Sequence, residues 1–469
     1  MNDMAFQDGE SAEAFAAVAS EVAYDDLPEA AVEAAKKSII DTVAVMAAAA
    51  GSTAVVNNAA RLAESAGGKP EATIIGRSTR ASAAMAAFAN GCLAHALDYD
   101  DIEFESVYHP SGALVPAALA VAERSGWVHG QDFITAIVIG QDLGIRLARA
   151  IPLQRRPPWH RSVVISTFAA AATSARLMGL GRDGVIDALG HALNQAAGSL
   201  ELRWGADSDV GGLYCGYSAK AGVFAALMAE AGIPGVRRVF DGQAGFFNLY
   251  FEGKCDRARL LGGLGKHFTG ADTAYKPWAA CAAVNTYVLA MLNAMKHYGF
   301  RADHIARVEL HVGDYAVRNC EPLAARQRPG TATDAKFSLP YTVAAAAVHG
   351  DLSAQRFLPG ALRDKGVLDL AKKIVPVIDG AYDIKDGMPP GAITVHLLDG
   401  RVIHRREDVP YGHPSNPVGW EHLEAKAREC FGMSRAGISA DRAEEIVRTC
   451  RRMAEIADLN DFYGLLRPS

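Results

Sequence analysis

The sequence predicts a mainly α protein: a large all-α helical bundle with a smaller α+β segment inserted ahead of its last helices. Three observations carry that prediction. From residue 12 to about 262 nearly every segment has apolar residues at helical spacing, with Gly, Pro and Asp at the breaks. Near residue 270 the spacing changes to alternation, and after Pro414 it returns to helix. Such a return places residues 1–270 and 406–469 in one helical body and leaves 271–405 as an inserted α+β lid.

Taken in order, helices are expected over residues 27–49, 132–148, 162–178 and 218–231. Pro28 and Glu29 suit a first turn, where a missing N–H costs nothing and an acid meets the positive end of the helix dipole. Residues 304–312 (HIARVELHV) alternate apolar and polar and predict a strand. Residues 392–398 and 402–406 flank Asp399-Gly400 and predict a β-hairpin. Helical stretches at 281–298, 334–349 and 366–373 lie among these strands, and helices at 420–430 and 441–459 close the chain.

A chain of 469 residues, half of them hydrophobic, can bury a large core, and a charged fraction of 21% does not describe a disordered protein. The net charge of -6 and the lack of any long basic run give nucleic acid no electrostatic footprint. No stretch reaches the ~18 consecutive apolar residues of a bilayer span. The acidic, polar start MNDMAFQDGE does not resemble a secretory signal, so a cytoplasmic protein with no membrane span is expected. Seven scattered cysteines with no CxxC pair predict neither disulfides nor structural zinc. GGLGKHFTG lacks phosphate-loop spacing and no GxGxxG opens a helix after a strand, so no nucleotide cofactor is expected. The expected partners are a small molecule or another copy of the chain.

Residues 90–120 read NGCLAHALDYDDIEFESVYHPSGALVPAALA, in which Asp98, Asp100, Asp101, Glu103 and Glu105 run into His109-Pro110-Ser111. An Asp-rich stretch is commonly a solvated turn. Here helical apolar patterns flank it on both sides, which makes it a connection between two buried helices. Pro110 suits the start of the second helix, and a helix N-terminus beside a histidine and carboxylates can hold an anion and move protons. The same carboxylates are the one place where a divalent ion could be held.

The spelling LDYDD, HPSG, PAALA resembles the signature of the MmgE/PrpD family, which includes 2-methylcitrate dehydratases, cis-aconitate decarboxylases and iminodisuccinate epimerases. The resemblance runs from about residue 10 to 460. It implies a helical body and a smaller α+β lid with the active site in the cleft between them, and a homodimer; the absence of metal-spaced ligands and phosphate loops adds the expectation of chemistry without metal or organic cofactor.

The resemblance also assigns residues. His109 and His160 become an acid–base pair, with Asp98 orienting one of them or holding its charge. His160 stands among Arg155, Arg156 and Arg161, where a loop histidine is more often a surface residue; neighbouring cations would favour its neutral, proton-accepting form. Arg161 is taken as substrate-binding; Tyr214 and Tyr217, on the Gly-flanked segment that follows Gly211, either line substrate space or belong to the core. Lys276, held extended before Pro277, is a carboxylate anchor or else a plain surface lysine at a domain boundary. Cys281 takes a site that is histidine or cysteine among relatives. Tyr315 matches a tyrosine that reaches the active site in the decarboxylases, or else packs between lid and body. Ser338, in DAKFSLPY, is either a ligand contact or a helix cap.

Three departures accompany these matches. Gly211 replaces a family lysine, Ile102 stands where many relatives have threonine, and Asn285 stands where histidine is common. They point to a substrate or reaction different from that of the best-known members. The expected activity is proton abstraction next to a carboxylate, foremost dehydration of a small hydroxy di- or tricarboxylate. Epimerisation of an iminodisuccinate-like acid, cis-aconitate-type decarboxylation and non-catalytic carboxylate binding are the alternatives.

Overall fold

A computed structural model describes residues 11–153, 158–204, 209–385 and 387–468. The chain is mainly helical and divides into two compact units. The first comprises residues 1–96, 100–273 and 419–469; the second comprises Leu97–Tyr99 and Ala274–Val418, so it extends past the 405 boundary read from the hairpin.

In the first unit the helix Tyr214–Glu230 packs against Arg161–Leu177, Ala83–His95 and Arg182–Leu193. Ala83–His95 (AAMAAFANGCLAH) is buried on nearly every side, and its small residues allow the close approach. Glycine sets the tightest crossing. A Cβ on Gly91 would lie 2.7 Å from the Gly216 Cα, and one on Gly216 would lie 2.5 Å from both the Cys92 Sγ and the Phe88 carbonyl oxygen. These two glycines bring the last turn of Ala83–His95 beside the first turn of Tyr214–Glu230. A core of Phe168, Phe240 and Phe246 fills one side of the bundle, with ring centroids 5.2–6.2 Å apart. The C-terminal helix Trp420–Met433 packs on Glu29–Ala49, where the buried Lys426 Nζ meets Asp41 at 2.6 Å.

This unit is not purely helical. Ala72–Thr73 and Arg80–Ala81 form a short antiparallel ladder, too brief for any periodicity to announce it. No single helix among the described residues is long and apolar enough to cross a membrane.

The second unit holds a four-stranded sheet in the order Ile374–Ile378, Ile305–Val312, Gly391–Leu397, Val402–Glu407. The first pair is parallel and the others antiparallel. Gly400, at φ +89°, makes the hairpin turn that Asp399-Gly400 predicts. Ile374–Ile378 is absent from the sequence reading because its central Pro376 argues against a strand; the structure places it at the sheet edge, where a missing N–H is tolerated. Helix Asn285–Tyr298 packs on Gly391–Leu397 and Val402–Glu407, and Leu339–His349 packs on Ile374–Ile378 and on Asn285–Tyr298. The single helix expected over 334–349 is two, Ala332–Lys336 and Leu339–His349, because Ser338 starts a new helix by accepting the Tyr341 N–H at 3.1 Å.

Candidate active site

The acidic loop is buried, so each carboxylate must find a partner. Glu103 and Tyr108 exchange backbone hydrogen bonds of 2.7 and 3.1 Å, closing the loop on itself. The Glu103 carboxylate accepts the Glu105 and Ser106 N–H groups and the Arg149 guanidinium at 2.8–3.0 Å. Glu105 lies on Arg149 and Arg259. Within this loop two non-glycine residues take left-handed backbone angles, Asp98 at φ +50° and Val107 at φ +55°. For a β-branched residue this is a strained conformation that the surrounding contacts must hold.

Asp100 is the hub. It is 0% exposed; one oxygen meets His95 Nδ1 at 2.8 Å and the other meets His109 Nδ1 at 3.1 Å. Burial alone would raise its carboxyl, but the two imidazoles outweigh that and hold it well below the usual carboxylate range. With Nδ1 directed at the carboxylate, Nε2 is the nitrogen His109 can turn to a substrate. The positive φ of Asp98 turns the chain, and its carboxylate pairs with Lys276 Nζ, which also donates to the Asp98 carbonyl at 3.0 Å.

Asp101 marks a second difference from the sequence reading. Its Oδ1 accepts the Ser111 N–H at 3.1 Å and its Oδ2 the Ser38 hydroxyl at 2.9 Å, so the loop's own carboxyl group occupies this helix start. Burial, with the charge of Asp41 next in weight, pushes its carboxyl up to about 7. Pro110 is the N-cap of Ser111–Ser125, and Ser162 Oγ accepts the His109 N–H at 3.3 Å.

His160 is 6% exposed and precedes the helix Arg161–Leu177, so it is not a surface residue. Its ring packs on Tyr214 with centroids 4.3 Å apart; His95 lies 4.2 Å and His109 6.4 Å from the same tyrosine. Three imidazoles therefore surround one phenol ring. Arg155 and Arg156 lie outside the described residues. Arg161 directs its guanidinium at the carbonyls of Ala148 and Pro152, at 2.7 and 2.6 Å, and so caps the end of Gly130–Ala150. Tyr217, unlike Tyr214, is half exposed and packs on Phe88.

In the second unit Asp98 and Lys276 are both buried, and Tyr99 donates its hydroxyl to the Pro277 carbonyl at 3.1 Å. Cys281 is buried, with its N–H on the Lys336 carbonyl at 3.1 Å. Tyr315 is half-buried and stacks on the Arg318 guanidinium at 4.4 Å. Ser338 is wholly buried; its hydroxyl caps Leu339–His349 and reaches the Arg326 carbonyl. Asn285 opens a helix and donates to the Tyr411 carbonyl at 3.1 Å.

Sequence reasoning missed His95 and missed Asp100 as the histidine partner. The five-residue interval from His95 to Asp100 is the one signal for them. Donor atoms of His95, Asp100 and His109 lie within 4.8 Å of one another, so this trio is a group among the described residues that could hold a metal ion. The contacts at 2.8 and 3.1 Å are equally those of charge-assisted hydrogen bonds.

Residues 13–258 match the MmgE/PrpD N-terminal domain and residues 278–452 the MmgE/PrpD C-terminal domain. Among curated proteins the chain is 27% identical to the cis-aconitate decarboxylase-like protein oryM of Aspergillus oryzae, over 84% of each chain. It is 26% identical to the cis-aconitate decarboxylase of Mus musculus, over 81% of this chain and 78% of that one. With the cis-aconitate decarboxylase of Aspergillus terreus the identity is 25%, over 94% of this chain and 93% of that one. With its buried acidic loop and both domains matched, the chain belongs to the MmgE/PrpD family.

Proposed function

We propose that the protein is a lyase that removes a proton from the carbon beside a carboxylate of a small di- or tricarboxylate, and that it eliminates water from a hydroxy acid. The observation that carries this reading is that His109, backed by a buried carboxylate, and His160 lie around the same Tyr214 ring. Elimination of water needs a base for the C–H proton and an acid for the departing hydroxyl, and two imidazoles can divide those tasks. His109 Nε2 takes the proton, and Asp100 stabilises the imidazolium that forms. His160, protonated in this half of the reaction rather than the acceptor that its arginine neighbours in sequence suggest, donates a proton to the hydroxyl, which leaves as water as the C–C double bond forms. Lys276 is assigned the anchoring of a substrate carboxylate, and Tyr315 the role that the family resemblance gives it. Neither metal nor organic cofactor is needed for these steps.

Decarboxylation is the second reading, favoured by the names of the relatives above. It needs an acid to protonate the carbanion but no base, and Gly211, Ile102 and Cys281 depart from the decarboxylase pattern.

The test is proton NMR in deuterium oxide with citrate, 2-methylcitrate, cis-aconitate and iminodisuccinate. The proposal expects an olefinic acid formed from a hydroxy acid and, in the reverse direction, deuterium added at carbon. Release of carbon dioxide from cis-aconitate without hydration supports the second reading instead. Deuterium exchange with inversion and no loss of mass identifies an epimerase. Binding with no exchange in any acid identifies a non-catalytic carboxylate binder, and both of those results reject the lyase reading.

A further inference from the structure

The first unit holds a recess of about 100 Å³ whose lining shares no residue with the histidine site. Its walls come from the end of Glu29–Ala49, from Ala54–Ser65, from the turn between the two short strands, from Ala83–His95 and from the connection between Trp420–Met433 and Ala440–Arg451. The buried Val56, Ile75 and Leu93 make it apolar on one side, Arg77 and Arg435 bring positive charge, and among the described residues no Asp or Glu lines it. Both arginines are held through their neighbours. The Ser434 hydroxyl donates to the Ala47 carbonyl at 2.5 Å and accepts the Ala436 N–H at 3.0 Å, which pins the segment carrying Arg435 onto the helix end. Glycine permits that contact: a Cβ on Gly51 would lie 2.9 Å from the Arg435 Cβ, and one on Gly76 would lie 3.0 Å from the Cβ atoms of Ala50 and Ala436. The turn carrying Arg77 is fixed by its N–H on the Ile74 carbonyl and by the Ile75 N–H on the Asn90 side-chain oxygen, both at 3.0 Å. The guanidinium groups themselves are lightly engaged. Arg77 Nη2 stands 3.3 Å from Asn57 Oδ1 and its Nε 4.0 Å from Glu64, while the exposed Arg435 makes no hydrogen bond or ion pair among the described residues.

We propose that this recess binds a short-chain monocarboxylate, with Arg77 and Arg435 on the carboxylate and Val56, Ile75 and Leu93 around the alkyl chain. Two positive groups bordering one recess with no acid in its lining favour an anion there, and the guanidinium fork matches a carboxylate. Size narrows the choice. A cavity of roughly 150 Å³ takes benzene, so this one suits an anion of roughly four or five heavy atoms. Inorganic phosphate has that size too, but its oxygens would lose water against the apolar wall without gaining a partner. The bound acid would bridge the turn after the first short strand and the C-terminal segment, and so stabilise the folded chain by mass action. The site goes beyond the lyase reading and stands or falls without it.

The experiment is a ligand-observed NMR titration of the full chain at constant ionic strength, with propionate followed by proton and inorganic phosphate by phosphorus signals. Wild type is compared with Arg435→Gln and Arg77→Gln, each first checked by circular dichroism and thermal melting. The expected result is propionate bound more tightly than phosphate by wild type and about tenfold or more weakly by each variant, since a charge-assisted hydrogen bond is removed. Propionate should also raise the melting temperature of wild type but not that of Arg435→Gln. Equal propionate binding by wild type and a folded Arg435→Gln puts the acid elsewhere and overturns the proposal. Phosphate bound more tightly than propionate, and lost in both variants, overturns the carboxylate assignment. Wild type that binds neither ion overturns the site, and an Arg435→Gln that cannot fold makes the arginine structural and overturns it as well.

Discussion

Asp100→Asn is the sharpest perturbation of the site because it changes charge with almost no change in shape. The wild-type carboxylate serves two imidazoles at once, His95 at 2.8 Å and His109 at 3.1 Å. An amide has one accepting oxygen. One histidine would then face an N–H₂ group and could be satisfied only by moving its proton from Nδ1 to Nε2, which for His109 removes the basic nitrogen. General acid–base groups contribute about 10²–10⁴-fold to rate, so turnover should fall by that factor. The Michaelis constant should change little, since Asp100 is wholly buried behind His109.

Stability limits how the result is read. Two hydrogen bonds involving charge amount to roughly 3–6 kcal/mol in gross terms, while relief from burying a carboxylate returns several kcal/mol, so the folded variant should survive. The sign with pH is fixed by the depressed carboxyl. A carboxylate held below its unfolded value stabilises the fold above about pH 4 and loses that contribution as pH falls through the folded value. Wild type should therefore lose more stability than Asp100→Asn on acidification, as measured by urea midpoints at pH 7 and 3.5. Steady-state kinetics on whichever acid is turned over supplies the main readout. A folded Asp100→Asn with turnover within about threefold of wild type would refute the role given to Asp100, given the size expected of such groups.

Three further outcomes follow from the same geometry. His160→Ala should lower turnover by about 10²–10⁴-fold while leaving the circular dichroism spectrum unchanged; near-normal rates remove it from the proton transfer. Asp101, raised to about 7 when folded, favours its protonated form, so its contribution is full below about pH 4 and is lost as pH rises through 7. Asp101→Asn is permanently neutral and should therefore gain on wild type between pH 5 and 8, by up to roughly 4 kcal/mol; equal urea midpoints at both pH values count against it. Chelation should leave activity intact, because the donors of His95, Asp100 and His109 are used in hydrogen bonds; activity lost to a chelator and restored by a divalent metal would reassign the trio.

The helices were legible because a buried face repeats every few residues, and the hairpin because alternation brackets Asp399-Gly400. Ile374–Ile378 was hidden by Pro376, which a central strand would not accept but an edge strand does. Within the site, His109, His160 and Tyr214 could be named from the sequence, and the structure does bring their rings together. His95 could not. It closes an Ala-rich helix where a polar residue reads as an ordinary helix end, and only the fold shows the carboxylate facing it. That Asp100 meets two histidines follows a turn with positive φ at Asp98, which sequence does not announce as a glycine would. Arg161 shows the converse limit: a cation beside a histidine suggested substrate, whereas three orphan carbonyls at the end of Gly130–Ala150 claim it.

The acidic loop thus solves an electrostatic problem, and its solution is what makes chemistry available. Five carboxylates in eight residues would repel one another in a common environment. The fold separates them. Glu103 and Glu105 go to arginines, Asp98 to a lysine, Asp101 to neutral donors, and Asp100 to two histidines. An arginine or lysine partner only donates, because neither side chain carries a lone pair while charged. At Asp100 the partners are imidazoles, which can give or accept a proton at nitrogen, so a proton can pass through this pair while the buried carboxylate keeps its hydrogen bonds. The Gly91–Gly216 crossing then fixes how near that pair lies to Tyr214, since any side chain at Gly91 would collide with the opposing backbone and part the helices that carry His95 and the tyrosine. Charge sorting chooses the histidines, and glycine packing sets the distance at which they can act together.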